Sequence, residues 1–371
     1  MSKEIQQIIE KLNAFAPGEK AVLATVVDLV GSGYRRPGAR MLIDAEGYAV
    51  GTVSGGCLEA DVLERAKKVL ETGEPFVITY DTTKDENSLF GLGMGCRGVV
   101  RILLERFEKE NILARALEFP FRERRRQFIG TVISSNRAAT GGRIFYNEIE
   151  RFRFENLTDE PEIFDGLKKN CLEFFASGEF SKVFRYESGN DSFEMFFENV
   201  NPPLKLLLFG AGYDALPLVR IAKELGWRVT AIDHRPAFAN AERLPEADEI
   251  IVSDAENLGE DLFADENSVA VVMTHNYERD LRILPRLLRS KCLYVGALGP
   301  KKRTEKLLSE TGENFSADEL AKLYAPVGLD IGADTPEGIA LAIAAEILAI
   351  LKSREGGFLR NRKGSIYGTS E

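Results

Sequence analysis

Residues 204–236, LKLLLFGAGYDALPLVRIAKELGWRVTAIDHRP, constrain the fold more than any other stretch. An apolar run from Leu206 to Phe209 meets Gly210-Ala211-Gly212, a helical pattern follows, and a second apolar run from Val229 to Ile232 ends in Asp233. The order is strand, tight turn, helix, and a strand ending in an acid. Gly210 permits the sharp exit from the strand. Gly212 lets backbone N–H groups approach a pyrophosphate at the positive end of the helix, and Ala215 takes the third, packing position. Asp233 stands about 20 residues beyond the glycines, where a carboxylate accepts hydrogen bonds from a ribose diol. Packing alone is the competing explanation, since a doubly wound sheet keeps such a turn without a ligand.

Later segments extend this pattern into a Rossmann-like doubly wound parallel sheet. Residues 248–252 and 268–273 read as third and fourth strands, CLYVGAL from Cys292 as a fifth, and 324–327 as a sixth. The fourth ends in Thr274-His275-Asn276, at the carboxyl edge where open α/β sheets bind ligands. Only His234 and His275 carry imidazoles, so any imidazole acid–base chemistry falls to one of them; a structural histidine beside Asp280 is the alternative for His275. Arg235 either meets a 2′-phosphate or faces solvent. Thr335 or Asp334 is expected to cap a final helix whose buried stripe is Ile339, Ile343, Ile347 and Leu351.

With 371 residues, the chain is long enough for two or three domains with cores of their own. A net charge of -10 argues against a nucleic-acid surface, which needs a basic face. No apolar run approaches the ~20 residues that span a bilayer, and MSKEIQQIIEKL lacks the basic-then-apolar order of a signal peptide. A cytoplasmic protein without membrane contact is expected. Cys57, Cys96, Cys171 and Cys292 show no CxxC spacing, so they read as thiols that act, if at all, as nucleophiles or metal ligands.

Two of these thiols follow glycine-rich loops. Residues 2–14 form an amphipathic helix, residues 21–30 a strand, and GSGYRRPGAR follows, with Arg35, Arg36 and Arg40 among three glycines. That loop is either a solvated basic turn or an anion site, arginine being suited to bidentate phosphate contacts. Strands at 41–44 and 48–53 lead into Ser54-Gly55-Gly56-Cys57, then a helix to about Leu70. Cys57 thus stands near a helix N-terminus, which favours a thiolate, unless it is a buried cysteine at a tight packing point. FGLGMGCRG places Cys96 after a second glycine loop, before the strand at 99–104. Residues 107–200 carry the basic cluster Arg122, Arg124, Arg125 and Arg126 and short aromatic-rich strands, without a catalytic constellation.

GSGYRRPGARMLID, GTVSGGCLEADV, FGLGMGCRG, FGAGYDALPLVRIAKELGWRVTAIDHRP, MTHNYERDLRILPRLL, YVGALGPKKR and APVGLDIGADTPEGIALAIAAEI occur in this order. Together they resemble the xanthine dehydrogenase accessory protein (XdhC/CoxI) family over residues 20–106 and 204–352. The resemblance implies a factor that binds molybdopterin cofactor, promotes its sulfuration with a cysteine desulfurase, and hands it to an apo molybdenum hydroxylase. Carried over by position, Cys57 and Cys96 are the metal- or sulfur-facing thiols. Gly55, Gly56, Arg35, Arg36, Arg40, Gly210, Gly212 and Asp233 would hold the cofactor. Two positions depart from the family pattern, Arg97 in place of a glycine after the second cysteine and Tyr213 in place of a histidine after the GAG turn.

The expected architecture is an N-terminal α/β domain over residues 1–200 with a β-rich insertion at about 107–200, a Rossmann-like domain over 204–355, and a loose tail at 356–371. A homodimer is expected, as for many rigid α/β proteins. The rival reading is an NAD(P)-dependent oxidoreductase with His275 as acid–base group and a cysteine as auxiliary nucleophile.

Overall fold

The computed structural model describes residues 2–81, 98–136, 138–157, 161–188, 191–254, 257–263 and 265–363. The chain divides into two compact units, Met1–Pro202 and Pro203–Glu371.

The first unit opens with α1 (Ser2–Asn13), β1 (Ala21–Gly31), β2 (Arg40–Ile43), β3 (Ala49–Gly51), α2 (Glu59–Thr72), β4 (Phe76–Asp81) and β5 (Gly98–Phe107). Then follow α3 (Ile112–Glu123), β6 (Gln127–Ser135), β7 (Arg143–Asn147), β8 (Arg151–Glu155), α4 (Pro161–Ser177), β9 (Ser181–Ser188) and β10 (Asp191–Val200). The strands pair in two antiparallel sheets, ordered β3-β2-β1-β5-β4 and β8-β7-β6-β10-β9. Residues 112–200, nearly all of the stretch at about 107–200 read from the sequence as a β-rich insertion, therefore repeat the preceding seven elements in the same order and with the same pairing.

The repeat extends to single side chains. Leu23 faces Glu105 across one sheet as Ile129 faces Glu198 across the other. Arg40 opens β2 and donates to Gly38 O, and Arg143 opens β7 and donates to Gly141 O. Each arginine then pairs with the glutamate of the other half, Arg40 with Glu198 and Arg143 with Glu105. Strand alternation explains the layers: Val22, Ala24 and Val26 of β1 pack with Val62, Ala66 and Val69 of α2, while Val27 points the other way, toward Leu103, Ile133 and Phe196. In the second half Phe128 and Val132 meet Leu167, Cys171 and Phe174 of α4 in the same manner. Ile5, Ile8 and Leu12 of α1 and Leu113 and Leu117 of α3 share a core with Leu23 and Ile129.

The second unit contains β11 (Lys205–Phe209), α5 (Ala215–Glu224), β12 (Arg228–Asp233), β13 (Glu249–Val252), β14 (Ser268–Val272), α6 (Tyr277–Arg289), β15 (Tyr294–Ala297), α7 (Lys301–Glu310), α8 (Ala317–Ala321), β16 (Leu323–Tyr324) and α9 (Pro336–Leu351). Its sheet is parallel throughout, in the order β13-β12-β11-β14-β15-β16. This is the expected doubly wound arrangement. Both faces are covered, so its strands are apolar on both sides. Leu206 and Leu208 pack toward α5 and α9, and Leu207 and Phe209 toward α6. Thr335, not Asp334, caps α9, accepting from Gly338 N at 3.2 Å. Cys292 is buried just ahead of β15 rather than on it.

Candidate functional site

The sheet order sets the ends of β11 and β14 side by side, at the point where the direction of winding reverses. Gly210 has φ +109°, and a Cβ there would lie 2.3 Å from the Met273 carbonyl oxygen. The glycine is required by this close approach of two strand ends as much as by the turn. The same approach brings Asp214, which precedes α5, to His275, which follows β14. His275 Nε2 lies 2.7 Å from Asp214 Oδ2, and the histidine adopts a left-handed φ of +54° to reach it. Its imidazole is exposed. Asp280, the neighbour suggested by sequence proximity, is instead buried, receiving the Thr274 hydroxyl and Arg303. Nothing in the sequence singles out Asp214 beyond its place two residues after Gly212.

Asp233 ends β12 as expected, but its carboxylate is turned onto the protein. Oδ2 accepts the Ala211 N–H at 2.8 Å and Arg235 Nη2 at 2.7 Å, while Oδ1 accepts Arg235 N–H and Nε, both at 2.9 Å. His234 Nδ1 lies 3.2 Å from Oδ1. Burial opposes the charge, yet the bonds from Arg235 and Ala211 outweigh it and hold the Asp233 pKa down at about 2. The acid expected to face a ribose thus closes one of the backbone N–H groups expected to face a pyrophosphate. Arg235 grips Asp233, with 38% of its side chain still exposed. The cavity lined by Phe209, Gly210, Ile232, Asp233, His234 and Thr274 holds about 20 Å³, a water-sized space. Nearby, Arg279 of α6 pairs with Asp254, and its hydrogen bond holds that carboxyl below the usual range.

In the first unit the arginines of the glycine loop divide. Arg40 is 2% exposed and committed to Gly38 O and Glu198. Arg35 reaches Glu4 of α1, whose other oxygen accepts the Arg40 N–H at 2.8 Å. Arg40 therefore braces the interior and Arg35, half-buried, is tied to α1, where the expectation had them presenting charge to an anion; a loop sequence does not reveal which cations the fold pairs.

The Cys57 loop is held from below. A Cβ at Gly55 would lie 3.2 Å from the Tyr34 ring, so the Tyr34 and Cys57 loops rest against each other. Ser54 Oγ accepts the N–H groups of Gly56 and Leu58, each at 3.1 Å. Glu59 accepts from Ser54 N at 2.8 Å and from the Ser54 and Thr52 hydroxyls. Burial works against the Glu59 charge, but these bonds prevail and its pKa is lowered. Leu58 is the N-cap of α2, so Cys57 stands just outside the helix and exposed. The Leu58 N–H is engaged by Ser54 and Glu59 rather than left for a thiolate. Cys171 and Cys292 are buried, and burial pushes the Cys171 thiol up. Cys96 and Arg97 lie outside the described residues. Among the described residues, no three His, Cys, Asp or Glu side chains gather as a metal site.

Models of known families match both parts of the chain: the XdhC Rossmann domain over residues 206–347, and the XdhC and CoxI family over residues 14–81. Over 341 residues it is 31% identical to a Bacillus subtilis (strain 168) protein named as a probable xanthine dehydrogenase subunit, covering 90% of this chain and 94% of that one. The chain belongs to the XdhC and CoxI family. A relative from Escherichia coli (strain K12), the molybdenum cofactor insertion chaperone PaoD, is 22% identical over 93% of this chain and 87% of its own. A crystal structure of a xanthine dehydrogenase from Bacillus halodurans superposes with a TM-score of 0.76 at 29% identity, over 95% of this chain and 97% of that one. In this XdhC/CoxI chain the Cys57 loop falls inside one matched segment, and the Gly210 turn, Asp233 and His275 inside the other. Among the described residues no helix is long and apolar enough to cross a membrane.

Proposed function

We propose that this chain binds molybdenum cofactor, assists its sulfuration and inserts it into a molybdenum hydroxylase such as xanthine dehydrogenase. The observation that carries this reading is the exposed Cys57 on its anchored glycine loop, in a family with a relative named as a molybdenum cofactor insertion chaperone. When bound, the cofactor supplies a molybdenum centre and a phosphate-bearing pterin. The residues fit such a group: at Gly56, φ +109°, a Cβ would meet nothing within 4 Å, so the backbone beside the thiol is open, and a thiolate is a soft ligand. Cys57 presents that ligand, Glu59 fixes the loop that carries it, and Cys96 is assigned the second thiol. In the Rossmann unit, taken by itself, the turn at Gly210 and Gly212 beside Asp233 is the candidate for holding a phosphate-bearing group. An apo molybdenum hydroxylase and a cysteine desulfurase are the partners of this reading, and a cytoplasmic homodimer is its setting.

The test is the molybdenum and pterin content of protein purified anaerobically from a cofactor-producing host. Wild type should carry both, and Cys57→Ala and Cys96→Ala should lose them. Serine variants at the two positions that still fully activate a molybdenum hydroxylase would remove the thiols from the mechanism.

The Asp214–His275 pair favours one other reading, an NAD(P)-dependent oxidoreductase in which the carboxylate orients an acid–base imidazole. Enhanced fluorescence of bound reduced nicotinamide, with turnover of an aldehyde or alcohol, would select it. Absence of both would discard it.

A further inference from the structure

Arg243 follows β12 on the rim of the Rossmann crevice, and its guanidinium lies against two rings. Its Cζ is 4.5 Å from the Tyr213 ring centre and 4.8 Å from that of Phe238, and Arg235 Cζ lies 3.9 Å from the same Phe238 centre. The four side chains form a row from Arg235, which grips Asp233, to Tyr213, which follows Gly212. Nε and Nη2 of Arg243 are buried without a hydrogen-bond partner. Arg40 and Arg143 also have an orphaned Nε, but each bonds a glutamate through another nitrogen. Arg243 has two orphaned nitrogens.

Arg243 as a whole is half-buried, but two of its N–H-bearing nitrogens have lost water without gaining a partner, which costs stability unless an anion completes them. The rings contribute cation–π attraction to its faces and nothing to its N–H groups. The Nε–Nη2 edge is the one that grips a phosphate or carboxylate with two parallel bonds. The Asp233 carboxylate at the Arg235 end of the row is already engaged by Arg235, Ala211 and His234. Tyr213 is 72% exposed beside the guanidinium, so its outer face is free to stack on a planar ring.

We propose that Arg243 is the phosphate-binding residue of a rim subsite that takes a phosphate monoester borne on the sugar or side chain attached to a heteroaromatic ring, with Tyr213 as the stacking platform. The proposal rests on reading the crevice as a cradle for a phosphate-bearing cofactor. It moves the phosphate from the glycine turn, where Asp233 closes an N–H, to the rim. Nucleotides and pterin phosphates share this chemistry.

The full chain would be titrated calorimetrically with 2′,5′-ADP, CMP and neopterin 3′-phosphate, with adenosine, cytidine and neopterin as phosphate-free controls. At least one phosphate should bind and its control should not; which one binds identifies the source. Arg243→Gln should weaken that binding about ten- to a hundredfold, Arg243→Lys less, and Tyr213→Ala about tenfold. Without ligand, Arg243→Gln should melt at or above the wild-type temperature by Trp227 fluorescence, because an unpaired cation has been removed. Equal binding by wild type and Arg243→Gln overturns the subsite and leaves the cradle reading standing. Failure of every phosphate to bind wild type overturns both. An unliganded Arg243→Gln protein that melts well below wild type makes Arg243 a structural residue and overturns the subsite.

Discussion

Replacing Asp233 by Asn tests whether the glycine turn is held shut by charge. The substitution keeps the shape and removes the anion that accepts from Ala211 and Arg235. Depression of the pKa from 3.8 to about 2 corresponds to about 2.5 kcal/mol of folding stability at neutral pH. Trp227, the only tryptophan, is 5% exposed in the core of the Rossmann unit, so its fluorescence during urea unfolding reports on this unit. With an m-value of about 2 kcal/mol/M, the midpoint of Asp233→Asn should fall by about 1.2 M at pH 7. A carboxyl depressed in the folded state contributes its full stability above the unfolded pKa and loses it as pH falls through the folded one. The gap between wild type and variant should therefore shrink to about 1.3 kcal/mol at pH 3 and vanish below about pH 2. A gap under about 0.4 M at pH 7, or one that stays constant down to pH 3, would refute the reasoning.

Glu105→Gln and Glu198→Gln should each destabilise the first unit by about 3–5 kcal/mol, because each strands a buried arginine. Hydrogen exchange of β5 and β10 should show losses of similar size, and a silent variant at either position would break the equivalence of the two halves. Glu64→Gln, which removes the exposed pair with Lys67, should change stability by no more than about 0.5 kcal/mol in the same measurement. In native protein, iodoacetamide should modify Cys57 about a hundredfold or more faster than Cys171 and Cys292, the buried thiols reacting only through opening. Peptide mapping over time checks this, and comparable rates would place Cys57 in the interior.

How far the sequence could be read depended on the range of the interactions involved. The strand, glycine turn, helix and acid at 204–233 are local, and α1, α2, α5 and α9 followed from apolar spacing and caps. The duplication in the first unit was not legible. Equivalent residues in its halves share inward or outward direction rather than identity, and the arginine loop is shorter in the second copy. Arg101 and Glu194 hold corresponding register positions with opposite charges and pair with each other. The basic loop misled for a related reason: Arg40 answers to Glu198, 158 positions away, and no local rule couples them.

By itself, the sequence determined the doubly wound sheet, the family, and the thiol and glycine loops in which function was sought. Periodicity and turn chemistry act within a few residues of chain and survive without knowledge of partners. Only the tertiary structure decided that Asp233 faces Ala211 and Arg235, that His275 meets Asp214, that Arg35 and Arg40 are braces, and that Arg243 is left with orphaned nitrogens. Those outcomes depend on which segments the sheets bring together. In a low-dielectric setting the partner a charge finds, or lacks, determines what it can do.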